Sequence, residues 1–318
     1  MPQDLAVETK EKQNLAEAVI STLAFFSLYN LPLSGKRVYE LLLGVRSTQR
    51  DVDKMLSFLA ANDQIIQEGN LFALKKWDLG RHNANQLELT KKWRKIDKYF
   101  HWLAVLPFVR QISVINSLAL GTADSDSDID FFVVSRPNRL YFVRSVIIVL
   151  FRLLGVYKTR QRIKDRFCFG FFVSQNRQNL QPLLIKPEDP YLVFWLASMR
   201  PILNQTEYEY FMKENSWIKT YFPNFEPALR LNTIKEPHTA IKVIRFILEF
   251  LLSIPAALIE PLLARIHISH TFRLPENRVA ASTTVANADM LKLHGYDVRA
   301  EIAYRYIEEL EKIKKRRT

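Results

Sequence analysis

Four aspartates occupy every second position of the segment NSLALGTADSDSDIDFFVV, Asn116 to Val134, and run directly into an apolar stretch. They are Asp124, Asp126, Asp128 and Asp130. Because successive side chains of a β-strand point to opposite faces, a strand here places Asp128 and Asp130 together on one face. Ile129 and Phe131 then enter the core. An unpaired charge inside an apolar strand is costly, so the two inner carboxylates require a partner.

The residues around this segment predict a compact α/β core. Val109–Asn116 (VRQISVIN) has the β-branched content of a strand, and IDFFVV forms the next strand. Residues 139–156 predict a helix that is apolar on most sides, and Arg166–Ser174 (RFCFGFFVS) predicts a third strand. The order strand, turn, strand, helix, strand indicates a small mixed sheet with flanking helices.

Residues 13–78 predict a separate N-terminal module. Three short helices, the second capped by Ser34, precede a β-hairpin, which is the order of a winged helix. The third helix reads DNA in many such modules, but here Asp51 and Asp53 stand among its basic residues. Sequence-specific DNA binding is therefore not favoured, and the alternative is a module that positions a partner or packs on its neighbour.

Length and charge suggest the remaining organisation. The chain has 318 residues, 48% of them hydrophobic, and a formal net charge of +12. Such a length favours two or three units, and such a charge favours anionic partners such as nucleic acid, nucleoside triphosphates or acidic lipids. The predicted divisions are the module (13–78), connecting helices (79–108), the α/β core (109–188), a helical C-terminal module (189–310) and a basic tail (311–318).

Cysteine usage and the N-terminus bear on the compartment. The single cysteine, Cys168, cannot form an internal disulfide or a cysteine-based zinc cluster. The N-terminus lacks the basic patch and apolar run of a secretory signal. A reducing cytoplasm is the expected location.

The segment most similar to a membrane span is Phe246–Ala264 (FILEFLLSIPAALIEPLLA). It contains Glu249 and Glu260, and a carboxylate at the centre of a bilayer costs about 2.5–3.5 kcal/mol. It also contains Pro255 and Pro261, which interrupt helices. No transmembrane segment is predicted. A buried helical hairpin broken at the prolines is expected, with attachment to a membrane surface as the alternative.

The inner aspartates have the chemistry of a metal site. A divalent cation neutralises two close carboxylates, and Mg²⁺ is usually held by one or two carboxylates plus substrate phosphates. The tight turn before the strand offers backbone N–H groups and the Ser117 hydroxyl to an anion. Metal-binding carboxylates beside a phosphate site are the equipment of phosphoryl or nucleotidyl transfer.

Two other interpretations of the aspartates remain. DSDSDID begins like a calcium-binding loop, but Ile129 stands where glycine is needed and Ser135 where a bidentate glutamate is needed. A solvated acidic turn explains Asp124 and Asp126, but it gives no reason for Asp130 to lie inside an apolar strand.

The same segment resembles the signature of the nucleotidyltransferase superfamily related to DNA polymerase β, particularly its minimal domains. The resemblance covers this motif and the strands and helix around it. It implies that Ser117 contacts the triphosphate, that Gly121 is the turn glycine, and that Asp128 and Asp130 bind Mg²⁺ or Mn²⁺. The implied activity is transfer of a nucleoside monophosphate from a nucleoside triphosphate, for example ATP, to a hydroxyl of a protein, RNA or small molecule.

Two positions depart from the family pattern. The family glycine before the serine is Asn116, which tolerates positive φ but whose side chain can obstruct a phosphate. The third strand also lacks the additional carboxylate that many members use as a base; Cys168 or Gly170 stands in that region, and Asp165 just before it is the candidate substitute. These departures favour the alternative of an inactive protein that binds nucleotide or nucleic acid.

Two further groups are weaker candidates. His267 and His270 have the spacing of metal ligands on one helical face but lack an assured partner. Lys292, His294 and Arg299 fit either an anion site or ordinary surface positions, and surface positions are expected.

Overall fold

The protein contains both helices and strands, and the computed structural model describes residues 2–185, 189–274, 283–293 and 297–317. The helices are α1 (Pro2–Ser27), α2 (Gly35–Glu40), α3 (Gln49–Ala61), α4 (Leu79–Ala104), α5 (Asn116–Leu120), α6 (Leu140–Leu153), α7 (Pro190–Ser198), α8 (Gln205–Glu214), α9 (Ile218–Tyr221), α10 (Thr239–Arg273) and α11 (Arg299–Arg317). The strands are β1 (Leu33–Ser34), β2 (Ile66–Glu68), β3 (Leu71–Ala73), β4 (Val109–Val114), β5 (Ile129–Ser135), β6 (Phe167–Ser174), β7 (Arg200–Leu203), β8 (Val285–Ala286) and β9 (Met290–Lys292). Short 3-10 turns cover Gln181–Leu183 and Pro227–Thr233.

A six-stranded mixed sheet with the order β7-β4-β5-β6-β9-β8 lies at the centre of the fold. Strand β5 is antiparallel to β4 and parallel to β6, and α6 forms the crossover between β5 and β6. Parallel neighbours need such a crossover, whereas antiparallel neighbours can be joined by a turn. The register places Asp130 of β5 beside Cys168 of β6. The predicted mixed sheet with flanking helices is confirmed at this level.

Both faces of the sheet are covered, which explains why the strands are continuously apolar. Ile129 and Phe131 are buried on the face that packs against α4 and α6, as expected. Phe132 and Val134 are buried on the opposite face, in a cluster with α1 and α7. The inner carboxylates therefore share the face of Phe132, toward α7.

The expectation of a helical C-terminal module at 189–310 is incomplete. Three strands of the central sheet, β7, β8 and β9, come from residues after 189. They have only two to four residues each, too few to produce a periodic pattern in the sequence. Pro201 fits β7 because this strand lies at the edge of the sheet.

The N-terminal module consists of α1, α2 and α3 with a small antiparallel sheet of order β1-β3-β2. The Ser34 hydroxyl accepts a hydrogen bond from the Arg37 backbone N–H (3.3 Å) and so caps α2 as predicted. Helix α2 ends at Glu40, earlier than its sequence pattern suggests. The Thr22 hydroxyl of α1 donates to the Leu41 carbonyl and accepts from the Leu43 N–H, both at 3.1 Å. These two hydrogen bonds take the place of the backbone hydrogen bonds that a further turn of α2 would make.

A buried ion pair joins this module to the rest of the protein. Glu40 of α2 pairs with Arg230 of the second 3-10 turn, with 2.7 Å between Oε2 and Nη1. Arg230 also donates to the Ala197 carbonyl of α7 (3.1 Å). Nearby, the rings of Phe25 and Phe194 stack at 4.1 Å. The module and the central sheet thus share one hydrophobic cluster.

The expected helical hairpin at Phe246–Ala264 is wrong. Helix α10 continues through Pro255 and Pro261, and most of its apolar side chains are exposed. A proline removes one helical hydrogen bond, but contacts on both sides can keep the helix intact. Here Glu249 binds the protein before Pro255, and Glu260 binds it between Pro255 and Pro261.

Candidate metal centre

Asp128, Asp130 and Cys168 form a cluster at the start of β5 and β6. Each offers one potential ligand atom, and these atoms all lie within 4.8 Å of one another. Asp130 and Cys168 are neighbours because β5 and β6 pair in parallel, and Asp128 lies two residues before Asp130 on the same face. The structure therefore brings together the two aspartates that the sequence singled out. We call Asp128 and Asp130 the carboxylate pair.

Asp130 is the more enclosed member of the carboxylate pair. Its backbone carbonyl accepts from the Ile115 N–H (3.1 Å), and its side chain is hydrogen-bonded to the side chains of Asn116 and Cys168. Burial raises the pKa of Asp130 to about 6, with the charge of Asp128 as the next cause. The site thus holds negative charge that its hydrogen bonds do not fully offset.

Lys158 supplies a positive charge to the carboxylate pair. Its Nζ lies 2.5 Å from Asp128 Oδ2, and its backbone N–H donates to the Phe167 carbonyl (2.9 Å) at the start of β6. Burial alone would lower the pKa of this amine, but the hydrogen bond to Asp128 and the negative charges of Asp128 and Asp130 oppose burial, and the pKa stands above its usual value. Lys158 is therefore a cation at neutral pH.

The Cys168 side chain is a neutral thiol. Burial raises the pKa of this thiol well above its usual value, and the neighbouring Asp130 charge raises it further. A thiol is a hydrogen-bond donor and a poor ligand for Mg²⁺, which prefers oxygen. Cys168 thus stands next to the carboxylate pair, where a third carboxylate would complete a metal site.

Asn116 links the carboxylate pair to α7. Its backbone has a positive φ of 55°. Asparagine tolerates positive φ, so it can replace the family glycine at this position as far as the backbone is concerned. Its Oδ1 accepts from the indole N–H of Trp195 (2.7 Å), and the Tyr191 hydroxyl lies at 3.5 Å. Because its amide also bonds to Asp130, the Asn116 side chain is fixed between α7 and the carboxylate pair.

Ser117 and Gly121 form the turn between β4 and β5. The Ser117 carbonyl accepts three backbone N–H groups, from Gly121 (2.9 Å), Thr122 (2.8 Å) and Ala123 (3.1 Å). Gly121 has φ of 86°, and a Cβ there would meet only Leu31, at an ordinary 3.8 Å. Glycine is favoured by the backbone angle rather than by crowding. The Ser117 side chain is partly exposed.

The outer aspartates behave as a solvated turn. Asp124 and Asp126 are exposed. Asp124 Oδ1 accepts from the Ser127 hydroxyl (2.7 Å) and from the backbone N–H groups of Asp126 and Ser127. The Ser127 hydrogen bond lowers the pKa of Asp124. The four aspartates therefore divide into two that shape the turn and two that face inward.

Asp165 lies apart from the carboxylate pair. Its carboxylate pairs with the buried Lys92 of α4 (2.5 Å), and Lys92 also donates to the Ser127 carbonyl (2.7 Å). Asp165 precedes β6 with φ of 56°, so its side chain turns toward α4 rather than along the face of Asp130. The structure thus gives Asp165 a structural partner and does not include it in the cluster proposed to hold a metal.

The weaker candidates are also placed. Lys292 and Arg299 are buried, contrary to the surface positions expected for them, because both bind Asp297 and Arg299 also binds Asp189 (2.8 Å). These ion pairs make them a structural cluster. His294 lies outside the described residues. His267 contacts the Ser145 hydroxyl (2.9 Å), and burial lowers its pKa to about 4.

Lys158, Trp195 and Tyr191 are site residues that sequence reasoning missed. Lys158 stands in the basic stretch YKTRQRIKDR, where no local pattern distinguishes it from its neighbours. Only the parallel pairing of β5 and β6 brings it to Asp128. Comparison of the chain with models of known families, with curated proteins and with solved structures found no significant match.

The ion pair between Lys158 and Asp128 predicts competition with a divalent cation. Lys158→Met should increase the affinity for Mn²⁺ alone by roughly tenfold, because a unit charge about 4 Å away is worth on the order of 1–4 kcal/mol in water or near a protein surface. Titration calorimetry at pH 8 measures this effect. Lys164→Met, at an exposed position of the same loop, is the matched control, and equal affinities for all three proteins would contradict the competition.

Proposed function

We propose that this protein is a nucleotidyltransferase that passes a nucleoside monophosphate from a nucleoside triphosphate to an acceptor hydroxyl. The observation that supports the proposal best is the carboxylate pair: two aspartates on one face, with ligand atoms within 4.8 Å, directly after a glycine turn. Burial, and then the charge of Asp128, raise the pKa of Asp130, and two close carboxylates of this kind are what a divalent cation neutralises.

The residues of the site fit Mg²⁺ or Mn²⁺ held by Asp128 and Asp130. Such an ion, when bound, would stabilise the charge that develops on the transferred phosphoryl group and on the leaving pyrophosphate. The acceptor oxygen forms a bond to the α-phosphorus while the bond to pyrophosphate breaks. Lys158 offers a positive charge to the phosphates, and Ser117 with the turn through Gly121 offers hydrogen-bond donors.

The N-terminal module supports a role in binding a partner. Its helix order and the β1-β3-β2 sheet fit the winged-helix interpretation. Asp51 accepts from Thr48 (2.6 Å) and Asp53 from Gln49 (2.8 Å), so two carboxylates lie along the first turns of α3. This charge distribution does not favour insertion of α3 into the major groove of duplex DNA. It fits better with a protein acceptor, or with a nucleic-acid acceptor that is recognised through other basic surfaces. The cytoplasm is the proposed location.

A transfer assay tests the proposal. The protein is offered each labelled nucleoside triphosphate with Mg²⁺ or Mn²⁺ and candidate protein, RNA and small-molecule acceptors, itself included. Asp128→Ala should remove transfer, whereas Asp126→Ala, an exposed aspartate of the same turn, should leave it unchanged. Transfer that survives Asp128→Ala would remove the site assignment.

A second candidate function is metal-independent nucleotide binding without turnover. The neutral Cys168 thiol beside Asp130, and the Lys158 amine on Asp128, favour this candidate because both reduce the need for a metal. Titration calorimetry with ATP and with each other triphosphate distinguishes the two. Binding that is equal with Mg²⁺ and with chelator, and no product in the transfer assay, would select the second candidate.

A further inference from the structure

Helix α10 presents a long apolar face to solvent. The helix has 35 residues and is about 50 Å long at 1.5 Å per residue. Phe250, Ile254 and Leu258, spaced by four, are 74%, 72% and 74% exposed. We call the outward side the α10 apolar face, and its largest members are Phe246, Phe250, Leu251, Ile254, Leu258 and Leu262. Exposed apolar surface of this extent marks an interaction site.

The acidic residues of this helix point away from the α10 apolar face. Glu249 accepts from the Phe108 N–H (2.8 Å) and pairs with Arg110 (3.0 Å). Glu260, about three helical turns later and so on the same side, accepts the N–H groups at the start of α6, from Tyr141 (2.9 Å) and Phe142 (2.8 Å). The carboxylates are satisfied by protein, so they do not oppose contact of the outward side with lipid.

The same two glutamates fix the orientation of the helix. By length and composition α10 is sufficient to cross a bilayer. To do so it would have to leave β4 and α6, exposing a buried carboxylate and the start of α6. The helix therefore lies flat against the protein, in the manner of an amphipathic helix in the plane of a membrane interface.

The apolar surface extends from α10 onto α6 and the end of α4. Leu153 of α6 is 81% exposed, and Val149 and Trp102 are exposed beside it. Between them and Ile244 of α10 lies an apolar cleft of about 570 Å³. Tryptophan is enriched at membrane–water interfaces, so Trp102 fits the edge of a membrane-binding surface.

Exposed basic residues accompany Leu153 at the end of α6 and in the loop that follows it, and they favour an anionic occupant. Arg152 is exposed beside Leu153, and the loop that follows α6 exposes Arg160, Arg162 and Lys164. A second copy of the chain would bring like charges together, at a net charge of +12 per copy. Acidic lipid headgroups instead attract each basic residue that lies near the membrane surface.

We propose that the α10 apolar face, with the adjoining surface of α6 and Trp102, binds an anionic phospholipid bilayer, with α10 lying in the interface. The proposal is independent of the nucleotidyltransferase function. It places the protein at a membrane surface, with α10 in the interface rather than across the bilayer.

A flotation assay with vesicles tests this proposal. The full chain is mixed with vesicles of phosphatidylcholine alone or of phosphatidylcholine with phosphatidylglycerol. It should float with the mixed vesicles. The triple variant Phe250→Gln/Ile254→Gln/Leu258→Gln should lose at least about tenfold in partitioning, since burying one such side chain gives roughly a factor of ten. Arg162→Gln/Lys164→Gln should lose roughly fivefold per residue for the anionic vesicles alone.

The control variant replaces three other exposed large side chains, Phe58, Leu87 and Tyr304, by glutamine. They lie on α3, α4 and α11, so flotation should persist. Far-UV circular dichroism and melting temperature verify that every variant is folded. The proposal is overturned if wild type does not float, if it floats equally with neutral vesicles, or if the triple variant floats like wild type. A vesicle-free dimer that the same triple variant abolishes would overturn it in favour of a second copy.

Discussion

Asp130→Asn is expected to abolish nucleotidyl transfer and, at the same time, to stabilise the folded protein. The loss of transfer should be at least about a thousandfold, because this carboxylate is half of the proposed metal site and an amide neither neutralises a cation nor orients it in the same way. The gain in stability follows from the raised pKa of Asp130. Burial and the charge of Asp128 disfavour its ionised form in the folded state, and asparagine removes that charge.

The pH dependence gives this prediction its sign. In the unfolded chain an aspartate ionises near pH 3.9, whereas Asp130 in the folded protein ionises at about pH 6. Between these values the unfolded state binds fewer protons, so the wild-type free energy of unfolding decreases as the pH rises through this window. Asp130→Asn should therefore match wild type at pH 3.5 and exceed it above pH 6, by up to about 3 kcal/mol.

Urea unfolding at several pH values, followed by circular dichroism, measures the difference in stability, and the transfer assay measures activity. Asp126→Asn is the matched control and should change neither quantity, because Asp126 is exposed. A variant that is less stable than wild type at pH 7 would show that Asp130 serves the fold rather than a site. Such an opposition between activity and stability is typical of functional residues and is not expected of a structural ion pair.

The position of the carboxylate pair could be predicted from sequence because it depends on local rules. Alternation of side chains along a strand places Asp128 and Asp130 on one face, and the neighbouring Ile129 and Phe131 identify the buried face. The need for positive φ at Asn116 and Gly121 is equally local, and both angles are as expected. These features require no knowledge of which strands pair.

The residues that complete the site depend on pairing across the sheet and could not be predicted. Cys168 stands beside Asp130, and Lys158 reaches Asp128, only because β5 and β6 are parallel in one particular register. Asp165 was a candidate from its nearness in sequence to β6. Its actual partner, Lys92, lies 73 positions away in α4. Basic and aromatic residues alternate in this part of α4, and the pattern does not show which lysine is buried.

The surroundings of helix α10 also could not be predicted from the sequence. Glu249 and Glu260 argue against a helix that spans the membrane, since a carboxylate in a bilayer is costly, and attachment to a membrane surface is the alternative that the sequence leaves open. That inference assumes that every side of a helix meets the same environment. About three helical turns separate the two glutamates, so both lie on the side of α10 that is bound to protein. The α10 apolar face, on the other side of the helix, has no acidic residue between Phe246 and Leu262.

The second large effect is expected at the junction of the N-terminal module with the central sheet. Glu40 and Arg230 are both buried, and their 2.7 Å ion pair joins α2 to the turn at Pro227–Thr233. Two further arginines, Arg37 and Arg200, lie near this pair: burial, and then the charge of Arg230, lower the pKa of both. Glu40 is the carboxylate that opposes this concentration of positive charge.

Glu40→Gln should therefore lower the free energy of unfolding by about 3–5 kcal/mol, since removing one partner leaves a buried charge without compensation. The substitution preserves shape, so lost packing does not account for the effect. Urea unfolding measures it, and Glu236→Gln is the control: Glu236 pairs with Lys242 at a similar 2.8 Å, but both are exposed, and such a pair contributes about 0–1 kcal/mol. Equal effects of the two substitutions would mean that water reaches the Glu40 site. A large effect confined to Glu40 would show that this buried ion pair, which joins α2 to the turn at Pro227–Thr233, stabilises the junction of the N-terminal module with the rest of the protein.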